Sequence, residues 1–293
     1  MKKLFNLLLI GVFLIPLTTY GALTDSLVSW WSMEETGGAR VDDHGVNDLT
    51  DNNTVLYGTG IITNGADYEY SNSEYLSIDS GSQVGLDVSG DFSVSAWVYY
   101  ESVSAGRYII SKGFESDGNT VRAYNFGWQP NTLNMHISSG CSGGGTFSVA
   151  WTPSTDTWYH LVGVYDASAG EISFYVNGSQ QGTTQTGAPN SICTSASKTF
   201  IGSYDQTYYY HDGILDELGF WSRTLTTDEI TSLYNAGAGL GYADLAGAGG
   251  GGGDSGNLAT STIEQMQENL ASGIFMFISM FWFIIWFFRK RNK

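Results

Sequence analysis

The chain of 293 residues is poor in cysteine, proline, histidine and positive charge, and each shortage removes a class of explanation. Two cysteines, Cys141 and Cys193, exclude a disulfide-dense scaffold and a thiolate zinc cluster. The 4 histidines, His44, His136, His160 and His211, are scattered without metal-ligand spacing. Lys and Arg total 12 against 29 Asp and Glu, for a net charge of −17. Six of those cations lie at the chain ends, leaving Arg40, Arg107, Lys112, Arg122, Lys198 and Arg223 between them. So acidic a body excludes nucleic acid as a partner. Helical periodicity is scarce as well.

Abundant instead are glycine, at 38 residues, and tyrosine, at 18, interleaved with serine and threonine. That composition predicts an all-β fold with many turns. The stretch Thr157–Gly178 (TWYHLVGVYDASAGEISFYVNG) shows the pattern most clearly. Trp158, His160, Val162 and Val164 alternate with Tyr159, Leu161, Gly163 and Tyr165, and Ile172, Phe174 and Val176 repeat the period of two. Asp166–Gly170 supplies the turn. Apolar residues on both faces of the first strand predict a place inside a sheet. Near the end, Thr226 and Glu229 form a capping box, and Ile230, Leu233 and Tyr234 give the short helix they open one apolar face.

An ordered series of segments surrounds that hairpin: LVSWWSMEETGG (27–38), RVDDHGVNDLTDNNTV (40–55), FSVSAWVYY (92–100), YIISKG (108–113) and GILDELGFWSRTLTTDEITSLYN (213–235). The series resembles the laminin-G-like, concanavalin A-like lectin/glucanase superfamily over residues 23 to 241. The resemblance implies a two-sheet antiparallel jelly-roll sandwich. It also implies a structural Ca²⁺ held by Asp216 of the G-x-Φ-D-E segment with the N-terminal region, where Asp42, Asp43 and Asp48 lie. The alternative for Asp216 is an acceptor of backbone hydrogen bonds at a strand end. The superfamily's laminarinase-like enzymes carry their carboxylates on an E-x-D-x-x-E strand, which is absent here. Asp216 and Glu217 adjoin, but alternation sends neighbouring strand residues to opposite faces. The expectation is therefore a binding protein and not a glycoside hydrolase.

Two segments predict export and anchoring. Residues 1–21 carry Lys2, Lys3 and an apolar run before Ala22, the plan of a signal peptide. Ala271–Phe288 is uncharged and precedes Arg289-Lys290-Arg291-Asn292-Lys293. Eighteen helical residues reach about 27 Å, close to a bilayer core, and the basic tail stays cytoplasmic. The division expected is a signal peptide at 1–21, the sandwich at 22–241, a glycine-rich linker at 242–257, a juxtamembrane and transmembrane helix at 258–288 and a basic tail at 289–293. Export permits one disulfide, Cys141–Cys193, with two free thiols as the alternative.

The candidate ligand surface is Ser203–Asp212 (SYDQTYYYHD), where Tyr208, Tyr209 and Tyr210 run unbroken before His211. Tyrosine rings stack on sugars and acidic or amide neighbours fix hydroxyls. Trp128 and Gln129 are expected to extend the platform, with packing in the core as the alternative for each aromatic. The expected role is recognition of a glycan or surface protein by a membrane-anchored adhesion module. A viral attachment protein of similar layout and a ligandless spacer are the other readings.

Overall fold

The computed structural model describes residues 22–113, 122–141, 144–194 and 197–248. The expected signal peptide, the transmembrane helix, the basic tail and most of the linker lie outside the described residues. Among the described residues no helix is long and apolar enough to cross a membrane.

Among the described residues fifteen strands form the domain. They are β1 (Leu27–Trp31), β2 (Thr50–Asn52), β3 (Leu56–Thr59), β4 (Asn64–Tyr68) and β5 (Tyr75–Ile78). Next come β6 (Phe92–Tyr100), β7 (Arg107–Lys112), β8 (Tyr124–Gln129), β9 (Thr132–Ile137) and β10 (Gly145–Ala150). The last are β11 (Trp158–Asp166), β12 (Glu171–Val176), β13 (Ser179–Thr186), β14 (Thr199–Ile201) and β15 (Gly213–Trp221), followed by the helices α1 (Thr227–Tyr234) and α2 (Tyr242–Ala248). One sheet runs β13-β12-β11-β6-β15-β4-β3 with β1 paired to β15, and the other runs β10-β9-β8-β7-β14-β5-β2. The pairings between these strands are antiparallel. The protein is a two-sheet all-β sandwich, and the hairpin β11–β12 lies within its sheet, β11 being flanked by β6.

Period-two sequence builds the core between the sheets. Phe92, Val94, Ala96, Val98 and Tyr100 of β6 are all fully buried there, facing Tyr124, Phe126 and Trp128 of β8 and Leu133, Met135 and Ile137 of β9. A second apolar cluster covers the outer face of the larger sheet. Val162, Val164, Tyr175, Trp30 and Trp221 meet Ile230 and Leu233 of α1 and Leu245 of α2. The capping box is complete: Thr226 Oγ1 accepts the Glu229 N–H at 3.3 Å and Glu229 Oε2 accepts the Thr226 N–H at 2.8 Å.

The helix α2 corrects the domain boundary. Residues 242–248 are expected as linker, but Leu245 is completely buried and His44 Nδ1 lies 3.1 Å from the Tyr242 hydroxyl. One leucine and one tyrosine therefore dock a segment whose alanine and glycine content reads as flexible.

Cys141 and Cys193 form the disulfide, with Cα atoms 5.2 Å apart. It ties the end of the β8–β9 hairpin to the segment before β14, beside the bond from Cys193 N–H to the Ser138 carbonyl at 2.7 Å.

Candidate functional site

Three connections meet at one end of the sandwich: β4–β5, β6–β7 and β14–β15. Asp212 is their junction. Its Oδ1 accepts the Tyr70 N–H at 3.1 Å, its carbonyl accepts the Glu101 N–H at 2.9 Å, and its Oδ2 lies 3.4 Å from the Arg107 guanidinium.

The β14–β15 connection carries the tyrosine run. Buried Asp205 organises it, Oδ1 accepting from Thr207 N–H at 2.7 Å, Thr207 Oγ1 at 2.8 Å and Tyr208 N–H at 2.8 Å. Short side chains that accept from amides just ahead are what make Asp a turn residue. Ser111 Oγ donates to the carbonyls of Ser203 and Tyr204, and His211 N–H donates to the Gly202 carbonyl at 2.6 Å. Tyr209 takes a left-handed φ of 57°, and its ring rests edge-on against Tyr108 and Tyr204.

The consequence is a split among the expected ligand residues. Tyr208 is 63% exposed and Tyr209 43% exposed, whereas Tyr210 is buried. The Tyr210 hydroxyl donates to the Gln206 carbonyl and its ring packs against Tyr70 and Tyr75, so it supports the surface and is not part of it. Trp128 is a second correction. Alternation along β8 places it in the core, where its Nε1 donates to the Trp151 carbonyl at 3.3 Å. Gln129, on the opposite face of β8, holds the Tyr108 hydroxyl and so buttresses the tyrosines.

Three residues build the site without a sequence forecast, exposed Tyr70 and, beneath the surface, buried Arg107 and Tyr108. Tyr70 is 46% exposed and lies over the Arg107 guanidinium, 4.7 Å from ring centroid to Cζ. Tyr108 packs against Tyr204 and Tyr209. A usable signal existed in the segment 68–75, YEYSNSEY, which repeats the tyrosine and acid interleaving of 203–212. Beneath them His211 is fully buried between Tyr68 and Tyr100, and burial, reinforced by Arg107, pushes it down to about 3. It is a neutral support at any ordinary pH.

The residues expected to hold calcium sit elsewhere. Asp42 Oδ1 accepts from the N–H groups of Trp30, His44 and Gly45, and Oδ2 from that of Asn47. Asp216 Oδ2 accepts from Ile61 N–H at 2.7 Å and Ile62 N–H at 3.1 Å, and Oδ1 from Glu217 N–H at 2.8 Å. A Ca²⁺ ion wants six or more oxygens around it. These carboxylates accept from amide hydrogens, an arrangement that holds loops together. Among the described residues no group of three or more His, Cys, Asp or Glu is placed to hold a metal.

Strand alternation fails at Asp216 and Glu217. The β15–β6 register shifts between Asp216 and Gly219, and Glu217 has a φ of 46°, so a bulge interrupts the two-residue period. Both carboxyls end up buried, and Glu217 Oε2 accepts the Trp30 Nε1–H at 2.6 Å. Burial pushes Asp216 up to about 8 against its three amide donors, and burial with Asp216 beside it pushes Glu217 up to about 9. Neither carboxyl is open to solvent. His160 is likewise buried, Nε2 at 2.8 Å from Ser95 Oγ, and burial pushes it down to about 3.

Two packed antiparallel sheets with helices closing one outer face, and exposed rings gathered on loops at one end, define a lectin-like jelly roll. The chain belongs to the concanavalin A-like lectin/glucanases superfamily, whose family model matches residues 71–231, more than half of its length. No curated protein matches it in sequence.

Solved structures share the fold. One is the binding domain of botulinum neurotoxin DC in complex with SialylT, at 13% identity and a TM-score of 0.53 over 73% of this chain and 52% of that one. Another is the binding domain of Paraclostridial Mosquitocidal Protein 1, at 14% identity and a TM-score of 0.53 over 73% of this chain and 53% of that one. The chain thus spans about half the length of these toxin domains. Domain 4 of AbnA, a GH43 extracellular arabinanase from Geobacillus stearothermophilus solved with arabinotriose, is also similar. It shows 19% identity and a TM-score of 0.48, over 75% of this chain and 98% of that one.

Proposed function

We propose that the protein is a surface-displayed recognition module that binds glycans through the tyrosine surface of Tyr70, Tyr208 and Tyr209, and that it is not an enzyme. The observation carrying this reading is the buried Asp205 carboxylate, which fixes a turn whose product is two solvent-facing tyrosine rings. Exposed rings on a rigid base suit stacking against the apolar faces of sugars. A neurotoxin binding domain of the same fold, solved with SialylT, supports searching among glycans. The carboxyl pair Asp216 and Glu217 is sealed in the protein, which argues against hydrolysis at that place.

Display rests on sequence: the apolar Ala271–Phe288 with its basic tail would hold the domain at a membrane, and binding there would give adhesion. Alkaline carbonate extraction of membranes from expressing cells tests the anchor. Retention in the membrane pellet supports it, and release into the wash argues against it.

The binding test is a glycan array probed with the full chain in nonionic detergent, once with calcium and once with chelator. Selective binding to a family of related glycans is expected. Absence of binding to every glycan would move the reading to a protein-binding module or a spacer. Loss of binding or of thermal stability with chelator would show that the loops of Asp42 and Asp216 rearrange to take an ion.

A further inference from the structure

Beside the tyrosine surface runs the outer face of the smaller sheet. Strands β8, β9 and β10 are neighbours there, and in a chain with 29 acidic residues none of the three carries an Asp, Glu, Lys or Arg. Phe126, Trp128, Leu133, Met135 and Val149 of these strands lie in the core. Alternation therefore turns Gln129, Thr132, Asn134 and Ser148 outward. Gln129 and Thr132 are half-buried and Ser148 is exposed.

Asn134 is the exception on that face. It is 1% exposed, and among the described residues neither its Oδ1 nor its Nδ2 has a hydrogen-bond partner. An unpaired buried polar group costs about 1–3 kcal/mol, which an apolar residue of the same size would avoid. Asn134 stands opposite Ser148 of β10 and Gly127 of β8, and Gly127 stands opposite Tyr108 of β7. The Tyr108 ring lies close over Gly127, where a Cβ would fall 3.0 Å from its Cδ1.

Tyr108 in turn meets Tyr209, with ring centroids 5.9 Å apart. Tyr209 and Gln129 lie side by side over Gly106, where a Cβ would fall 3.3 Å from Tyr209 Cδ1 and 3.4 Å from Gln129 Cγ. A line of neighbours thus runs from an exposed ring to an unpaired amide: Tyr209, Tyr108 with Gln129, Gly127, Asn134. Two strand spacings separate Asn134 from Tyr108 by about 10 Å, with Tyr209 beyond, which is further than one sugar ring reaches.

We infer that the glycan site extends across this face to Asn134, so that the protein takes neutral oligosaccharide chains and not single terminal sugars. This rests on the glycan-binding reading. One unit stacks on Tyr208 and Tyr209, and a later unit enters between Ser148 and Gln129 to set two adjacent hydroxyls on the Asn134 amide. That amide offers a donor and an acceptor side by side, and neighbouring sugar hydroxyls match both. Gln129, whose amide holds the Tyr108 hydroxyl, turns aside to admit the sugar. The cation acting on Tyr108 is Arg122, which makes acidic glycans the rival class.

The test probes an array of single sugars, linear neutral tri- and tetrasaccharides and sialylated glycans with the full chain in a sugar-free nonionic detergent, the parent beside Asn134→Leu. The parent is expected to bind linear neutral chains and not the single sugars that compose them. Titrated with the chain that binds best, Asn134→Leu should be about tenfold weaker. Its melting midpoint should rise by about 2 °C or more, since leucine fills the place without unpaired groups. Should leucine prevent folding, Asn134→Ala carries the same affinity comparison, with circular dichroism as the check on its fold.

Parent binding to single sugars or sialylated glycans as tight as to neutral chains overturns the inference and leaves the glycan reading standing. So does an affinity unchanged by substitution at Asn134. So does a folded leucine variant that loses affinity and melting midpoint together, which marks Asn134 as a structural residue. An array empty for the parent overturns both.

Discussion

Asp205 accepts the backbone N–H of Tyr208 at 2.8 Å, and this bond between a buried carboxylate and an exposed tyrosine is what converts a polar loop into a presenting surface. The same oxygen holds Thr207 twice, so the turn has one anchor for three donors. Asp205→Ala strands those donors, at a local cost of about 1–3 kcal/mol. The expected outcome is a glycan affinity about tenfold lower with the sandwich still folded, read by titration beside circular dichroism. Unchanged affinity would show that the turn is fixed by other contacts.

Alkali should loosen the fold. Asp216 and Glu217 are pushed up to about 8 and about 9 by burial, so both bind protons more tightly in the folded chain than in the unfolded one. Their contribution is complete below the ordinary carboxylate range and is lost as pH rises through those values. His160 and His211, pushed down to about 3 by burial, act on the acid side, where the unfolded chain gains protons first. The window from pH 7 to about 8.5 therefore isolates the carboxyls, since the buried tyrosines, also pushed up by burial, begin to act only nearer pH 10. The melting midpoint should fall there by about 3 °C or more, and Asp216→Asn should flatten the slope. A flat profile in the parent chain would contradict the buried pair.

The helix α2 belongs to the fold. Leu245 is fully buried with Trp30, Trp221 and Leu233 in the cluster outside the larger sheet. Leu245→Ala should cost about 2–4 kcal/mol, measured by denaturant unfolding. A loss under about 0.5 kcal/mol would restore residues 242–248 to the linker.

Much of the scaffold was legible because it obeys local rules. The strand β6, the hairpin β11–β12 and the capping box of α1 follow from period two, turn chemistry and an i, i+3 pair of polar side chains. The disulfide was legible as the only pairing two cysteines allow. The site was legible in part. Composition marked 203–212, yet could not separate the exposed Tyr208 and Tyr209 from Tyr210, because Tyr210 is buried by Tyr70 and Tyr75, far away in sequence. Period two reports that Trp128 and Gln129 face opposite ways, but not which way is inward. Tyr70 and Arg107 reach the site through contacts with Asp212, 142 and 105 residues away in sequence, which no local pattern encodes. At Asp216 and Glu217 the alternation rule itself broke, since one bulge reverses its conclusion.

The most direct test of the account is the affinity of Tyr208→Ala for the best glycan found on the array, set against the parent chain under identical conditions. Tyr208 is 63% exposed and bonds the rest of the protein through its backbone, so the substitution leaves the fold intact. The account predicts an affinity at least about tenfold weaker with an unchanged melting midpoint. Binding equal to the parent's would contradict it, and would place the glycan on a different face of the sandwich.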